Sequence, residues 1–282
     1  MPFVAFGKAP TDSLSVPKLS YATLLLMEAG GHLTAFTGLY FLWYKNYPQT
    51  KFHFFNDLPE WLQMDKAGHF FSGYWLTRLQ TYVWKQTNHR NPKLMGSLWS
   101  TLAMTGIEVL DGFSAQWGAS VYDALANFTG ISLAFWQETN PSVIIFPMFS
   151  FHPVKYPDEY VQRANQLFGR FPVSLLKDYN GQTYWLAIGK KNWVILPSIG
   201  YSAEGMLGGT SNCWLSNGTQ VCAEIPRQRQ ILLSFTVNWE NINVSWKHWK
   251  IVAGILNTIK VPVPTLMLSL PNKTFKLYAI YF

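Results

Sequence analysis

Four apolar segments in the N-terminal half of the chain each carry a pair of polar side chains. Within each pair the residues are three or four positions apart, a spacing that places both on one face of an α-helix. The pairs are Glu28 and His32, Asp65 and His69, Glu108 and Asp111, and Asp123 and Asn127. Because isolated buried charges are costly, we expect these pairs to converge inside a helical bundle or to contact water.

Convergence of these side chains would allow two kinds of chemistry. Imidazoles among several carboxylates suit zinc or another divalent cation, and the candidate metal ligands are Asp65, His69 and Glu108. A carboxylate beside an imidazole can instead transfer protons, and the candidate catalytic residues are His69, Glu108 and Asp111. The pattern thus specifies no cofactor with certainty, and a divalent metal is the candidate that it suggests.

The same side chains also fit a purely structural role. Lys66 follows Asp65 and could pair with Glu108 or Asp111 in a buried network that His69 closes. An acid at a helix start, such as Asp65, also serves the helix dipole without any chemistry. We favour the structural role, since no single pair is specific for metal binding or catalysis.

The elements that must position these pairs are predicted from periodicity and from helix-breaking residues. Helices are expected over residues 21–44, 64–86, 93–110 and 120–138, separated by NYPQT, NHRNP and DGFSAQWG. The first helix is long enough to span a bilayer, but Glu28 and the pair Gly30 and Gly31 equally favour burial in a bundle or an interfacial position. Helices that are apolar nearly all round are either buried or in a membrane.

From about residue 180 the hydrophobic period changes to two. In RQILLSFTVNW, alternate residues from Ile231 to Trp239 are apolar and most residues between them are polar, which predicts a β-strand. TYWLAIG, NWVILPSIGYSAEG, TLMLSL and KTFKLYAIYF have similar patterns. Residues 141–180 contain five prolines and are predicted to be rich in loops.

These patterns predict an α+β fold. An N-terminal bundle of about four apolar helices precedes a C-terminal antiparallel β region, and a membrane-embedded arrangement is left open. The predicted divisions are an N-terminal extension at 1–20, the helical bundle at 21–140, a loop-rich connector at 141–180 and the β region at 181–282.

The composition indicates contact with lipid or with large partners. Charged residues are only 13% of the chain and aromatic residues are 17%, whereas about a quarter of an average domain is charged. The net charge is +7, but Lys and Arg are scattered and form no nucleic-acid-binding stripe. We therefore expect no nucleic-acid partner, and an acidic membrane surface explains the mild basicity better.

Two cysteines, Cys213 and Cys222, lie nine positions apart in a segment rich in Gly, Asn and Ser. A disulfide that closes this loop fits an oxidising compartment outside the cytoplasm, and two free thiols are the alternative. A zinc site there would need additional nearby ligands.

Three segments resemble an uncharacterised family of bacterial envelope proteins. They are FHFFNDLPEWLQMDKAGHFFSGY, GIEVLDGFSAQWGASVYDALANFTG and SLLKDYNGQTYWLAIG, and the resemblance extends over roughly residues 40–210. The small members of this family are the YfiM-like lipoproteins, and the longer form resembled here is typical of Bacteroidetes-type bacteria. The Asp-Lys-x-x-His, Glu-x-x-Asp and Asp-x-x-x-Asn elements are also distantly similar to VanZ-like membrane proteins.

The resemblance implies a location in the bacterial outer membrane or on its periplasmic face. It implies no activity. The aromatic-rich composition and the small number of predicted strands indicate a need for partners, which we expect to be other envelope proteins and membrane lipid. Together with the residues, the resemblance leads us to expect a non-enzymatic outer-membrane-associated protein, a structural or accessory subunit of an envelope complex. The alternative is a membrane-proximal hydrolase, metal-dependent or acid–base, that acts on an envelope lipid or glycan.

Overall fold

A computed structural model describes residues 19–282 and confirms the α+β fold with helices first and an antiparallel sheet after them. The predicted extension at 1–20 lies outside the described residues except for its last two. The α-helices are α1 (Tyr21–Leu39), α2 (Met64–Trp84), α3 (Pro92–Asp111), α4 (Val121–Thr139), α5 (Asp158–Phe168), α6 (Ser174–Lys177) and α7 (Trp249–Leu256). The strands are β1 (Val143–Phe151), β2 (Gln182–Lys190), β3 (Ile195–Glu204), β4 (Cys213–Ser216), β5 (Thr219–Cys222), β6 (Gln228–Val237), β7 (Val263–Leu270) and β8 (Thr274–Tyr281).

The first predicted helix, 21–44, is α1 continued by a π-helical turn at Tyr40–Tyr44. The other three predicted helices correspond to α2, α3 and α4 within a few residues. Among residues 19–282, no helix combines the length and the apolar character that crossing a bilayer requires.

Glycines bring α2 and α4 into close contact. A Cβ atom on Gly130 would lie 2.1 Å from the carbonyl oxygen of Phe70, and one on Gly73 would lie 2.7 Å from that of Asn127. Real side chains do not approach a backbone so closely, so both positions require glycine at this helix spacing. The short distance between the two backbones brings their polar faces together.

Six strands form one antiparallel sheet in the order β1-β2-β3-β6-β7-β8, and β4 and β5 form a separate hairpin. The prediction of loops over 141–180 is wrong for β1 and α5, which lie in that segment. Its prolines suggested loops, but proline is tolerated in an edge strand, and Pro147 lies in β1 at the edge of the sheet.

Cys213 and Cys222 pair across the β4–β5 hairpin and are joined by a disulfide.

The sheet presents its apolar side chains outward. In β6, the side chains of Leu233 and Phe235 are exposed, whereas Ser234 and Thr236 between them are buried. The alternation predicted for this strand is therefore present, with Ser234 and Thr236 on the inside beside the buried Leu232. This is the reverse of a sheet in a water-soluble domain, where the polar face is the solvated one.

The sheet curls around a mixed interior. The hydroxyl of Tyr281 in β8 lies 3.1 Å from Oγ1 of Thr183 in β2. Trp185, also in β2, is buried in this interior, and the ammonium group of the buried Lys260 lies 4.7 Å from the centroid of its ring. Lys260 also donates to the hydroxyl of Ser234 at 3.1 Å, and burial lowers its pKa to about 8.

Hydrogen bonds from the middle of α2 attach the bundle to the sheet. The hydroxyl of Tyr74 donates to the carbonyl oxygen of Ile145 at 3.0 Å, and the indole of Trp75 donates to that of Pro147 at 2.8 Å. Both acceptors lie in β1. The edge strand is thus covered by α2.

The turn before α2 has a left-handed backbone at three consecutive residues. The φ angle is 48° at Trp61, 50° at Leu62 and 64° at Gln63. This conformation costs an L-residue about 1–2 kcal/mol, so contacts from elsewhere must hold it. The amide of Trp61 donates to the carbonyl oxygen of Gly209 at 2.7 Å, and the hydroxyl of Tyr201 donates to that of Leu62. The β region therefore determines where α2 begins.

Candidate functional site

A cluster of polar side chains lies in the centre of the bundle, and we name it the Lys66 cluster. Its residues come from the loop before α2 and from the facing sides of three helices. They are Asp57 from the loop, Asp65, Lys66 and His69 from α2, Glu108 and Asp111 from α3, and Asp123 and Asn127 from α4. Most of the predicted polar pairs therefore converge.

Lys66 occupies the middle of the acidic side of the cluster. Its Nζ lies 2.6 Å from Oδ2 of Asp57, 2.8 Å from Oδ2 of Asp65 and 2.9 Å from Oδ1 of Asp123. Burial lowers the pKa of Lys66, but the charges of Asp65 and Asp123 raise it more, so the net shift is upward. Lys66 is thus a permanent cation that neutralises the carboxylates around it.

Ser120 fixes the loop carboxylate to the start of α4. As the N-cap of α4 it accepts hydrogen bonds at 3.1 Å from the amides of Tyr122 and Asp123. Its hydroxyl donates in turn to Oδ1 of Asp57 at 2.5 Å. One side chain thus caps the helix and positions an acid of the cluster.

Asp57 and Asp123 both contact Lys66, and their pKa values shift in opposite directions. Burial, the neighbouring carboxyl of Asp57 and the charge of Asp65 together raise the pKa of Asp123 to about 8, against the effect of Lys66. Burial alone would raise the pKa of Asp57 as well, but hydrogen bonds from Asp123, Lys66 and Ser120 lower it. Asp57 is therefore ionised at neutral pH while Asp123 retains its proton.

His69 lies on the other side of the cluster. Its Nδ1 is 3.0 Å from Oδ1 of Asn127 and 3.5 Å from Oε1 of Glu108, and its Nε2 is 3.8 Å from Oδ1 of Asp123. Asn127 donates to Oε1 of Glu108 at 3.1 Å, and the amide of Ser120 donates to Oε2 at 3.2 Å. Burial raises the pKa of Glu108 to about 7, although the nearby imidazole of His69 lowers it in part.

Asp111, a candidate catalytic residue, acts in the structure as an acceptor for two aromatic donors. Its Oδ1 accepts from the hydroxyl of Tyr44 at 2.8 Å and from the indole of Trp117 at 2.5 Å. Burial raises its pKa, and these two hydrogen bonds lower it in part. Asp111 thereby connects α3 to the turn that follows α1.

Glu28 and His32 do not join the Lys66 cluster. Nδ1 of His32 lies 3.5 Å from Oε2 of Glu28. Burial raises the pKa of Glu28, and the nearby polar groups of Gln80 and Trp84 and the imidazole of His32 lower it in part. Gln80 and Trp84 lie near the end of α2, and Gln80 is about 16 Å along the helix axis from His69 at the ordinary rise per residue.

The pairing within the cluster differs from the one that the sequence predicts. Lys66 pairs with Asp57, Asp65 and Asp123 rather than with Glu108 or Asp111. Asp57 was missed because it lies in a loop, where helical spacing gives no signal. Ser120 was missed too, although its position three residues before Asp123 is that of an N-cap and could have indicated its role.

The segment that carries the cluster has relatives. Residues 53–139 match a family described as predicted periplasmic lipoprotein (DUF2279). The match includes α2, α3, α4 and every residue of the Lys66 cluster. It supports an uncharacterised family of bacterial envelope proteins and a periplasmic, membrane-associated location. No curated protein and no solved structure matches the chain.

Replacing Lys66 tests whether the cluster holds the bundle together. Lys66→Met leaves buried carboxylates without their cation, and we expect the free energy of unfolding to fall by ~3–5 kcal/mol in denaturant titrations. The matched control is Lys85→Met, because Lys85 is 2.5 Å from Glu138 but 47% exposed. The control should cost less than about 1 kcal/mol. Equal losses in the two variants would contradict a special role for Lys66.

Glu108 and Asp123 make the stability depend on pH. Their pKa values rise on folding, from 4.5 to about 7 and from 3.8 to about 8. At a pH between the unfolded and the folded pKa of either group, the unfolded chain has lost a proton that the folded protein retains. The free energy of unfolding therefore decreases as the pH rises through that interval. We expect Glu108→Gln to show a shallower decrease between pH 4.5 and about 7, measured by urea titrations. Glu159→Gln, at an exposed site, should keep the wild-type slope, and a wild-type slope in Glu108→Gln would refute the assignment.

Proposed function

We propose that this protein is a non-enzymatic, outer-membrane-associated subunit that structures or assists a bacterial envelope complex. The observation that carries the proposal is the position of Lys66. Three carboxylates that could hold a metal ion, those of Asp57, Asp65 and Asp123, surround its ammonium group instead. The carboxylates therefore form ion pairs with Lys66 that connect the loop, α2 and α4, which is a structural role.

Further observations support an envelope location. The family match describes a periplasmic lipoprotein, and the disulfide between Cys213 and Cys222 is typical of oxidising compartments such as the bacterial periplasm. The choice of the outer membrane and the kinship with YfiM-like and VanZ-like proteins are parts of this proposal.

An exposed apolar stripe on the bundle supports the presence of a protein partner. Leu94, Leu98 and Leu102 follow one another at four-residue intervals along α3, and all three are exposed. Exposed apolar stripes of this kind are typical of surfaces that bind other helices. We therefore assign this stripe to contact with another envelope protein.

Fractionation and co-purification test this function. The full chain should sediment with outer membranes and, after extraction in mild detergent, should co-purify with other envelope proteins. Leu102→Asp should lose the co-purified proteins, because it places a charge on the stripe. Leu215→Asp, on the β4–β5 hairpin, should retain them. Recovery of the wild-type chain as a lone, water-soluble monomer would overturn the proposal.

One observation favours a second function, a metal-dependent or acid–base hydrolase that acts on an envelope lipid or glycan. His69, Glu108 and Asp123 each offer a ligand atom, and the three atoms lie within 4.8 Å of one another. A hydrogen bond between Nδ1 of His69 and Asn127 would leave Nε2 available as a metal ligand. A divalent cation held there could activate a water molecule.

Metal analysis distinguishes the two functions. Under the structural proposal, we expect less than stoichiometric zinc or other divalent metal in the purified chain by elemental analysis. The double variant His69→Ala, Glu108→Ala should then still co-purify with envelope proteins if it folds, which circular dichroism checks. Stoichiometric metal in the wild type, lost in the folded double variant, would favour the hydrolase.

A further inference from the structure

The outward side of the curled sheet is apolar beyond its contact with α2. Adjacent strands contribute exposed side chains that register places on the same face. We name this the outer sheet face, and it consists of Ile188, Ile195, Pro197, Ile199, Leu233, Phe235, Leu266 and Leu277. A shallow groove with a volume of ≈ 520 Å³ crosses it.

Strand register is the first reason to assign a function to this face. A shift of one residue in pairing would exchange the two faces of a strand, so register is strongly selected where one face is buried. Here the buried positions are mixed, because small polar side chains lie beside the apolar Leu196, Leu232 and Met267. The small polar side chains are those of Ser198, Ser202, Ser234, Thr236, Thr265 and Ser269. This distribution fits a sheet whose surroundings are less polar than its interior.

The chemistry of the face favours lipid over protein. Protein interfaces carry roughly one hydrogen bond per 100–200 Å², which requires polar groups across the surface. The side chains of the outer sheet face offer none, and Pro197 lacks even a backbone N–H. Acyl chains form no hydrogen bonds, so contact with them leaves no polar partner unsatisfied.

Basic and aromatic residues lie at one end of the strands. Lys190 at the end of β2 and Lys191 and Trp193 in the β2–β3 connection are exposed, as are Trp246 and Lys247 in the β6–β7 connection. The β2–β3 connection contains no acid, and the one acid of the β6–β7 connection, Glu240, lies 3.3 Å from Arg78. Tryptophan is enriched at membrane interfaces, and lysine is attracted to anionic headgroups.

We propose that the outer sheet face contacts the acyl chains of an anionic phospholipid membrane, with these lysines and tryptophans at its headgroups. The inference rests on the proposed membrane association and adds the surface and the lipid class that provide it. A second copy of the chain or another protein on this face is an outcome that the experiment below would reveal.

Two leucines with equal exposure provide a matched test. Leu277 on the outer sheet face and Leu215 on the β4–β5 hairpin are each 78% exposed. The full chain is mixed with vesicles of phosphatidylethanolamine and phosphatidylglycerol, and flotation measures the bound fraction. A buried charge opposes contact with acyl chains, so Leu277→Asp should bind at least about tenfold more weakly than the wild type. Leu215→Asp should bind like the wild type, and circular dichroism checks that both variants are folded.

Headgroup charge is tested with the same variants. Replacing phosphatidylglycerol with phosphatidylcholine, or adding salt, should weaken binding by the wild-type chain. Wild-type binding by Leu277→Asp, or equal losses in both leucine variants, would overturn the inference. So would a self-associated wild type that Leu277→Asp dissociates without changing vesicle binding. A chain that fractionates with outer membranes but does not bind vesicles would refute this inference alone and leave the proposed function standing.

Discussion

The ammonium group of Lys66 is the interaction on which the bundle depends. It binds carboxylates from the loop before α2, from α2 and from α4, which would otherwise repel one another in a poorly hydrated site. Protons on Asp123 and Glu108 reduce the remaining negative charge, because burial raises both pKa values towards or above neutrality. The site thus combines a fixed cation with acids whose protonation adjusts to it.

Both halves of the chain expose apolar side chains and bury polar ones among apolar core residues. Each half also buries a lysine, and the two lysines are accommodated in opposite ways. Carboxylates surround Lys66 and raise its pKa, whereas Lys260 faces the ring of Trp185 and a serine hydroxyl, and burial lowers its pKa to about 8. The outward apolar residues agree with the membrane-associated location that the family match supports.

Local patterns in the sequence were sufficient to predict the four N-terminal helices and most strands of the large sheet, because periods of 3.6 and 2 identify these elements directly. They did not predict α5, α6 or α7. They could not determine which acids would pair with Lys66. Asp57 reaches the cluster through a loop, and its position depends on the turn before α2 rather than on any periodicity. The strand β1 was missed because Pro147 resembles a loop signal unless the strand is known to lie at an edge.

The sequence could not predict which face of the sheet points outward. Alternation in β6 separates apolar from polar side chains, but it does not state which set faces inward. In water the apolar set would be buried, whereas the structure buries Ser234 and Thr236 and exposes Leu233 and Phe235. Whether the apolar or the polar side chains face inward depends on what surrounds the protein. A sequence pattern carries no information about those surroundings.

The left-handed turn at Trp61–Gln63 limits how the chain can be divided. The family-matched segment, 53–139, contains this turn but not Tyr201, Gly209 or Arg229, which hold it by hydrogen bonds. In a fragment cut to that segment, the three residues would lose those contacts and relax towards right-handed backbone. Relaxation would displace the start of α2 and separate Lys66 from Asp57. In this chain, therefore, the helical segment is not a self-sufficient module, and the β region serves as its scaffold.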